Sequence, residues 1–163
     1  MTPPRLLLVL AVVTAGCLGS YDEGLLDGYC PPEVLPMIIN AEDDVDPAAV
    51  TEAMEIWNKA APSPFFAAGE PAAIGWVEVW HEELPENKLG DAQMAQDADG
   101  AIIACQVRLT PWWEADGHTL AHELGHCLGL AHDHTVDSIM HSPPADPSWP
   151  LAADIERVIE GCP

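Results

Sequence analysis

The chain has 163 residues, 48% of them apolar, which excludes a disordered chain and is enough for one domain with its own core. Its 5 Lys and Arg against 27 Asp and Glu give a formal charge of −22, which excludes nucleic-acid binding and adhesion to anionic lipid. Every acidic residue lies beyond position 17 and Arg5 lies before it, so the remainder carries 4 basic against 27 acidic side chains, or −23.

Residues 1–17 read as a targeting segment. "MTPPR" carries one positive charge, and the "LLLVLAVVTAG" that follows is too short for a permanent membrane span but suits a signal-peptide core. The closing "TAGC" resembles a bacterial lipobox, in which Cys17 would be lipidated and become the mature N-terminus. Thr14 departs from the Leu, Val or Ile usual there, and an ordinary secretory signal is the alternative. Either way the chain is expected to be exported, as a cell-envelope lipoprotein or a secreted protein, with membrane contact only through the lipid. Residues 18–34, acidic and containing Gly and Pro, form a tether, and residues 35–163 the domain.

Within the domain, "LPMIIN" is a short apolar run suited to a buried strand. "DPAAVTEAMEIWNKA" predicts a helix with Asp46 as N-cap, Pro47 in its first turn, and Val50, Met54 and Trp57 on one face, ended by Pro62 and Pro64. "IGWVEVWHE" alternates as a strand does, with either face able to be the buried one. "LGDAQMAQDADGAIIACQVRLT" predicts a hairpin whose second strand sets Ile103, Cys105, Val107 and Leu109 on one face. Asp97 and Asp99 in its turn are oxygen donors that calcium could use, but the other ligands of a calcium loop are missing and a plain turn is favoured. Residues 117–128 predict a helix, and "PLAADIERVIEG" a last one with Leu151, Ile155, Val158 and Ile159 at helical spacing. Strands followed by helices in this order make an α+β domain.

The chemistry is concentrated in "HELGHCLGLAH". His122 and His126, four apart on a helix, leave from the same face and can reach one metal ion. Glu123 is turned about 100° away and can meet a water without occupying a coordination position. Gly129 suits a left-handed helix stop, after which the chain can return with His132 as third ligand. Three protein ligands with one open position is the catalytic arrangement of zinc.

This H-E-x-x-H-x-x-G-x-x-H pattern, with Met140 in "SIMH" eight residues after His132, resembles the metzincin zinc endopeptidases. The resemblance covers roughly residues 35–160. It implies a mixed twisted sheet with an edge-strand hairpin, an active-site helix, a Met-turn and a C-terminal helix. It also implies one catalytic Zn(2+) on His122, His126 and His132, Glu123 as general base, and an extended peptide bound along strand Leu89–Gln96. Asp133 is similar to the adamalysin-like branch, where that aspartate ties the ligand turn to the Met-turn, whereas the small size is similar to matrixins. Ser142 stands where astacin-like enzymes carry a tyrosine that assists the transition state.

With Cys17 assigned to lipid, Cys30, Cys105, Cys127 and Cys162 remain for disulfides. Cys127 points away from the ligand His126 and is expected to bond Cys105, pinning the metal helix to the sheet. Cys30 would then pair with Cys162; a cysteine that blocks zinc, as in matrixin propeptides, is its other reading. His118 extends the helical row without the motif's spacing, His134 and His141 flank the site as loop residues, and His81 carries no signal. The reading is a monomeric zinc endopeptidase; the alternative is a non-catalytic zinc-binding lipoprotein that uses a protease-like domain for recognition.

Overall fold

The structure, a computed structural model, describes residues 12–16, 34–70, 73–85, 88–111, 117–135, 137–141 and 149–161. Cys17, the tether up to residue 33 with Cys30, Ser142 and Cys162 lie outside the described residues.

The domain is α+β. Strand β1 (Val12–Gly16) is followed by β2 (Met37–Ala41), α1 (Pro47–Ala60), β3 (Phe66–Ala68) and β4 (Trp76–His81), then β5 (Gly90–Gln96), β6 (Ile102–Leu109), α2 (Gly117–Cys127) and α3 (Ala152–Gly161). The strands form one mixed sheet in the order β1-β5-β6-β4-β2-β3. The links β6-β4, β4-β2 and β2-β3 are parallel, while β5 runs antiparallel to both its neighbours. Among the described residues no helix is long and apolar enough to cross a membrane.

Local chemistry explains the elements that matter for the site. Asp46 caps α1 by accepting from the Ala48 N–H at 2.8 Å, and Pro47 occupies the first turn, as expected. The face of α1 that is buried comprises Ala49, Val50, Ala53, Ile56 and Trp57. β4 buries Val77 and Val79 completely, which settles its inward face, and leaves Trp76, Glu78 and Trp80 on the other. The hairpin turn is closed by Asp97, whose carboxylate accepts from the N–H groups of Asp99 and Ala101, both at 2.9 Å, with Gly100 at φ +86°. Asp97 is thereby engaged as a turn residue rather than set apart as a cation ligand.

Two expectations are corrected and two strands were not expected. Residues 12–16, expected in a targeting segment, form β1 and pair along β5, from Val12 opposite Ala95 to Gly16 opposite Asp91, so that β5 is the edge strand of residues 35–163 and lies inside β1 when residues 12–16 are included. Such a Val- and Thr-containing run pairs readily with an open edge. Ile103 leaves the buried face because the register shifts next to Ala95 and Gln96, whose partners are Ala104 and Ile102; Cys105, Val107 and Leu109 stay inside. Ile159 is 44% exposed, while Ile155 and Val158 of α3 face the core. Strand β3 was not expected at all. Asn58 near the end of α1 holds it, accepting from the N–H groups of Phe65 and Phe66 at 2.9 and 3.0 Å and donating to the Phe66 carbonyl at 2.8 Å.

Helix α2 packs against α1 and lies across β5 and β6. Trp57 of α1, fully buried, donates its indole N–H to the Ala121 carbonyl at 2.7 Å, joining the two helices. Cys105 on β6 and Cys127 at the end of α2 form a disulfide with Cα atoms 5.5 Å apart, the pairing expected for these two cysteines. Gly125 faces both Trp57 and Met140, and a Cβ there would fall against Met140 Sδ and 2.8 Å from Trp57 Cζ2. A Gly125→Ala substitution is therefore expected to destabilise the domain by about 1–3 kcal/mol despite the better helix propensity of alanine. Chemical denaturation with the disulfide intact checks this, and an unchanged or higher midpoint would show that this contact gives way without cost.

Candidate metal centre

The end of α2 shows how the sequence builds the site. Gly129 sits at φ +88°, with the Gly129 N–H bonded to the His126 carbonyl at 2.9 Å and the Leu130 N–H to the Gly125 carbonyl at 3.1 Å. These are the two hydrogen bonds of a Schellman stop, which needs a residue free of the Cβ penalty in the left-handed region. The same turn carries the Leu130 carbonyl to 2.7 Å from His126 Nδ1. His122 Nδ1 lies 2.6 Å from the Ile139 carbonyl, in the loop that leads into Met140.

A carbonyl only accepts, so both Nδ1 atoms carry the proton and both Nε2 atoms present a lone pair. His132, returned by the loop after Gly129, completes the group. The three histidines offer ligand atoms that all lie within 4.8 Å of one another, and their ring centroids are 4.8–5.3 Å apart. Among the described residues this is the group of side chains able to share a metal ion. His122 and His126 are essentially inaccessible and His132 is 9% exposed. The donor set fits a metal on a direct observation: His126 Nε2 is buried and makes no hydrogen bond in the protein. A lone pair left so costs about 1–3 kcal/mol, which a cation at that point offsets.

Burial pushes the His122 imidazole down to about 4, helped by the charges of His132 and His141. His126 is held well below the ordinary imidazole range, first by burial, then by His122 and His132, with Lys88 adding to the pressure. His132 is lowered by burial and by His141. All three are thus held as neutral donors, the form that ligates metal.

Glu123, 1% exposed, lies against the first residue of β5: a Cβ on Gly90 would fall 2.8 Å from both its Cγ and Oε1. Gly90 was not singled out by the sequence, and only its closeness to Glu123 marks it. Beside it, buried Asp91 accepts from Lys88 at 2.7 Å and from Arg108 at 2.8 and 2.9 Å. Burial would raise the Asp91 carboxyl, but the hydrogen bonds from Arg108 and Lys88 bring it below its ordinary value.

Met140 is fully buried beneath α2 at Gly125. Its carbonyl accepts from the Asp133 N–H at 2.9 Å, so the strand leaving His132 is tied to the turn around Met140. Asp133 itself accepts from the Thr135 N–H at 2.6 Å and from Arg157 of α3 at 2.7 Å. His118 is not part of the three-histidine group and is edge-on to Trp149 at 5.3 Å. His81, the last residue of β4, faces Asp44 at 3.2 Å.

In comparisons with known proteins, no family model and no curated protein matches the chain.

The depressed imidazoles have a consequence for the metal-free protein. In the unfolded chain these groups titrate near 6.5, whereas folded His122 does so at about 4, so between these values the unfolded state binds more protons. Stability is therefore full above about pH 7 and is lost as the pH falls toward 4, by on the order of 3 kcal/mol from His122 alone. Denaturant melts of chelator-stripped protein across this range check the slope. A flat profile would mean that the imidazoles are not buried as neutral groups.

Proposed function

We propose that the chain is a zinc-dependent endopeptidase of the kind its motif resembles, the metzincins. The observation that carries this reading is the convergence of three neutral, buried imidazoles, with Glu123 next to the first of them on the same helix. Two ligands on one helix and a third after a glycine stop leave room for a fourth, exchangeable ligand.

A zinc ion bound there supplies Lewis acidity toward water and toward a carbonyl oxygen. The protein's own part is the proton. The Glu123 carboxylate takes one proton from the attacking water as its oxygen bonds to the scissile carbonyl carbon. It returns that proton to the amine nitrogen as the C–N bond breaks. Burial of Glu123 between α2 and β5 keeps bulk water from competing for it.

Substrate is proposed to lie extended along the outer edge of β5, where residues 12–16 pair in the full chain. Processing ahead of Cys17 would remove that strand and open the edge to a peptide, with the mature domain held outside the cytoplasm by lipid. The Cys105–Cys127 disulfide agrees with an oxidising compartment. The acidic surface would favour basic peptides.

Glu123→Gln is expected to retain bound zinc and lose about 10²- to 10⁴-fold in turnover of casein or a mixed peptide library. Equal rates for this variant and wild type would remove Glu123 from the proton transfer. Wild-type protein that binds zinc but shows no chelator-sensitive cleavage would favour the non-catalytic recognition reading instead. His132→Ala is expected to lose zinc itself, read by elemental analysis after gel filtration; full retention would exclude His132 as a ligand.

A further inference from the structure

Two aspartates hold the loop that supplies the third imidazole, and one cation lies between them. Asp133 follows His132 directly, and its carboxylate accepts from Arg157 Nη1 at 2.7 Å. The same Nη1 lies 3.4 Å from Asp154 Oδ1. Asp154, inaccessible to solvent, uses its other oxygen to accept from the Ser138 hydroxyl at 3.1 Å and from the Leu151 N–H at 2.8 Å. Ser138 Oγ in turn accepts from the Met140 N–H at 3.0 Å, one residue after the carbonyl that orients His122. A continuous polar chain thus runs from the residue beside His132, through α3, to the turn beneath His122.

Nothing in the metal-ligand motif requires α3 for this. The helix follows the last ligand by twenty residues, and Arg157 is one of only four basic residues beyond the leader. Its placement is not explained by solubility, since the surface is overwhelmingly acidic. Removing it would leave two carboxylates facing each other beside the ligand loop, one of them fully buried.

We propose that Arg157 is a positioning residue for the metal centre: it locks the His132 loop and the Met140 turn to α3 and so sets the affinity and geometry of the three-imidazole site. The inference rests on the metal reading of His122, His126 and His132. Changes in residues that orient ligands from behind lower metal affinity by about 10- to 100-fold. The planar guanidinium, bonded to one carboxylate while near another, is not reproduced by an ammonium group.

The test uses the full chain as wild type, Arg157→Met, Arg157→Lys, Asp133→Asn and the Arg157→Met/Asp133→Asn pair. Zinc affinity is measured by competition with a chromophoric chelator, and ligand geometry from the visible absorption of the cobalt(II)-loaded protein at saturation. Arg157→Met is expected to weaken zinc by about 10-fold or more. It should also alter the cobalt spectrum at saturation, which a general loss of stability would not do. Arg157→Lys is expected to fall between it and wild type. The double variant should bind no more weakly than Arg157→Met alone, because both changes break the same link. Wild-type zinc affinity and spectrum in Arg157→Met overturn the proposal, and so does additivity of the two substitutions. Should Arg157→Met not fold, Arg157→Lys is judged by the same two readouts. Absence of zinc binding in the wild type would instead overturn the metal reading beneath it.

Discussion

Three imidazoles packed into one buried space are held neutral, and to share a cation each would have to turn a lone pair toward one common point. That constraint organises the site. For His126 it is met by the Leu130 carbonyl, which reaches Nδ1 only because Gly129 reverses the chain in a left-handed conformation. For His122 it is met by the Ile139 carbonyl, which belongs to a loop seventeen residues away. Neither acceptor lies on the helix that carries the ligands. The orientation of these two rings therefore depends on Leu130 and Ile139, beyond the helix, as much as on α2.

The surrounding architecture can be understood as ways of fixing that segment and the helix above it. Trp57 and Gly125 let α1, α2 and Met140 approach closely, and the Cys105–Cys127 bond fixes the end of α2 to β6 one residue after a ligand. Charge is used just as locally. Of four basic side chains beyond residue 17, Lys88 and Arg108 converge on Asp91 at the start of β5, and Arg157 meets Asp133 and Asp154. Only Lys59, paired with Glu55 on exposed α1, stands apart from the site. In a chain of formal charge −22, these cations do more to steady the carboxylates near the ligands than to balance the surface.

How far the sequence could be read follows from the range of each interaction. The ligands, the glycine stop, the N-cap at Asp46 and the hairpin turn at Asp97 depend on neighbours within a few residues, and each was legible. Cys105–Cys127 was legible because a strand and a helix had already been placed. What escaped reading depends on pairing between distant segments. Asn58 creates β3 by side-chain hydrogen bonds that no periodicity marks, and the shifted register that turns Ile103 outward is set by its partner strand. A Cβ at Gly90 would meet a carboxylate from another element, which no local pattern marks. Asp154 and Arg157 read as ordinary polar positions of an amphipathic helix until the fold places Ser138 and Asp133 beside them.

The pairing of β1 with β5 joins the two ends of this reasoning. An apolar run and an open sheet edge are each liabilities, one toward aggregation and the other toward unwanted pairing. Residues 12–16 cover the edge of β5, in register from Val12 opposite Ala95 to Gly16 opposite Asp91. The ligand set is held by α2, the glycine stop and the loop returning to Met140, none of which uses β1. The imidazoles are thus oriented, among the described residues, by groups outside β1, while residues 12–16 occupy the edge of β5. The three-histidine group and the pairing along β5 thus rest on separate segments of the chain.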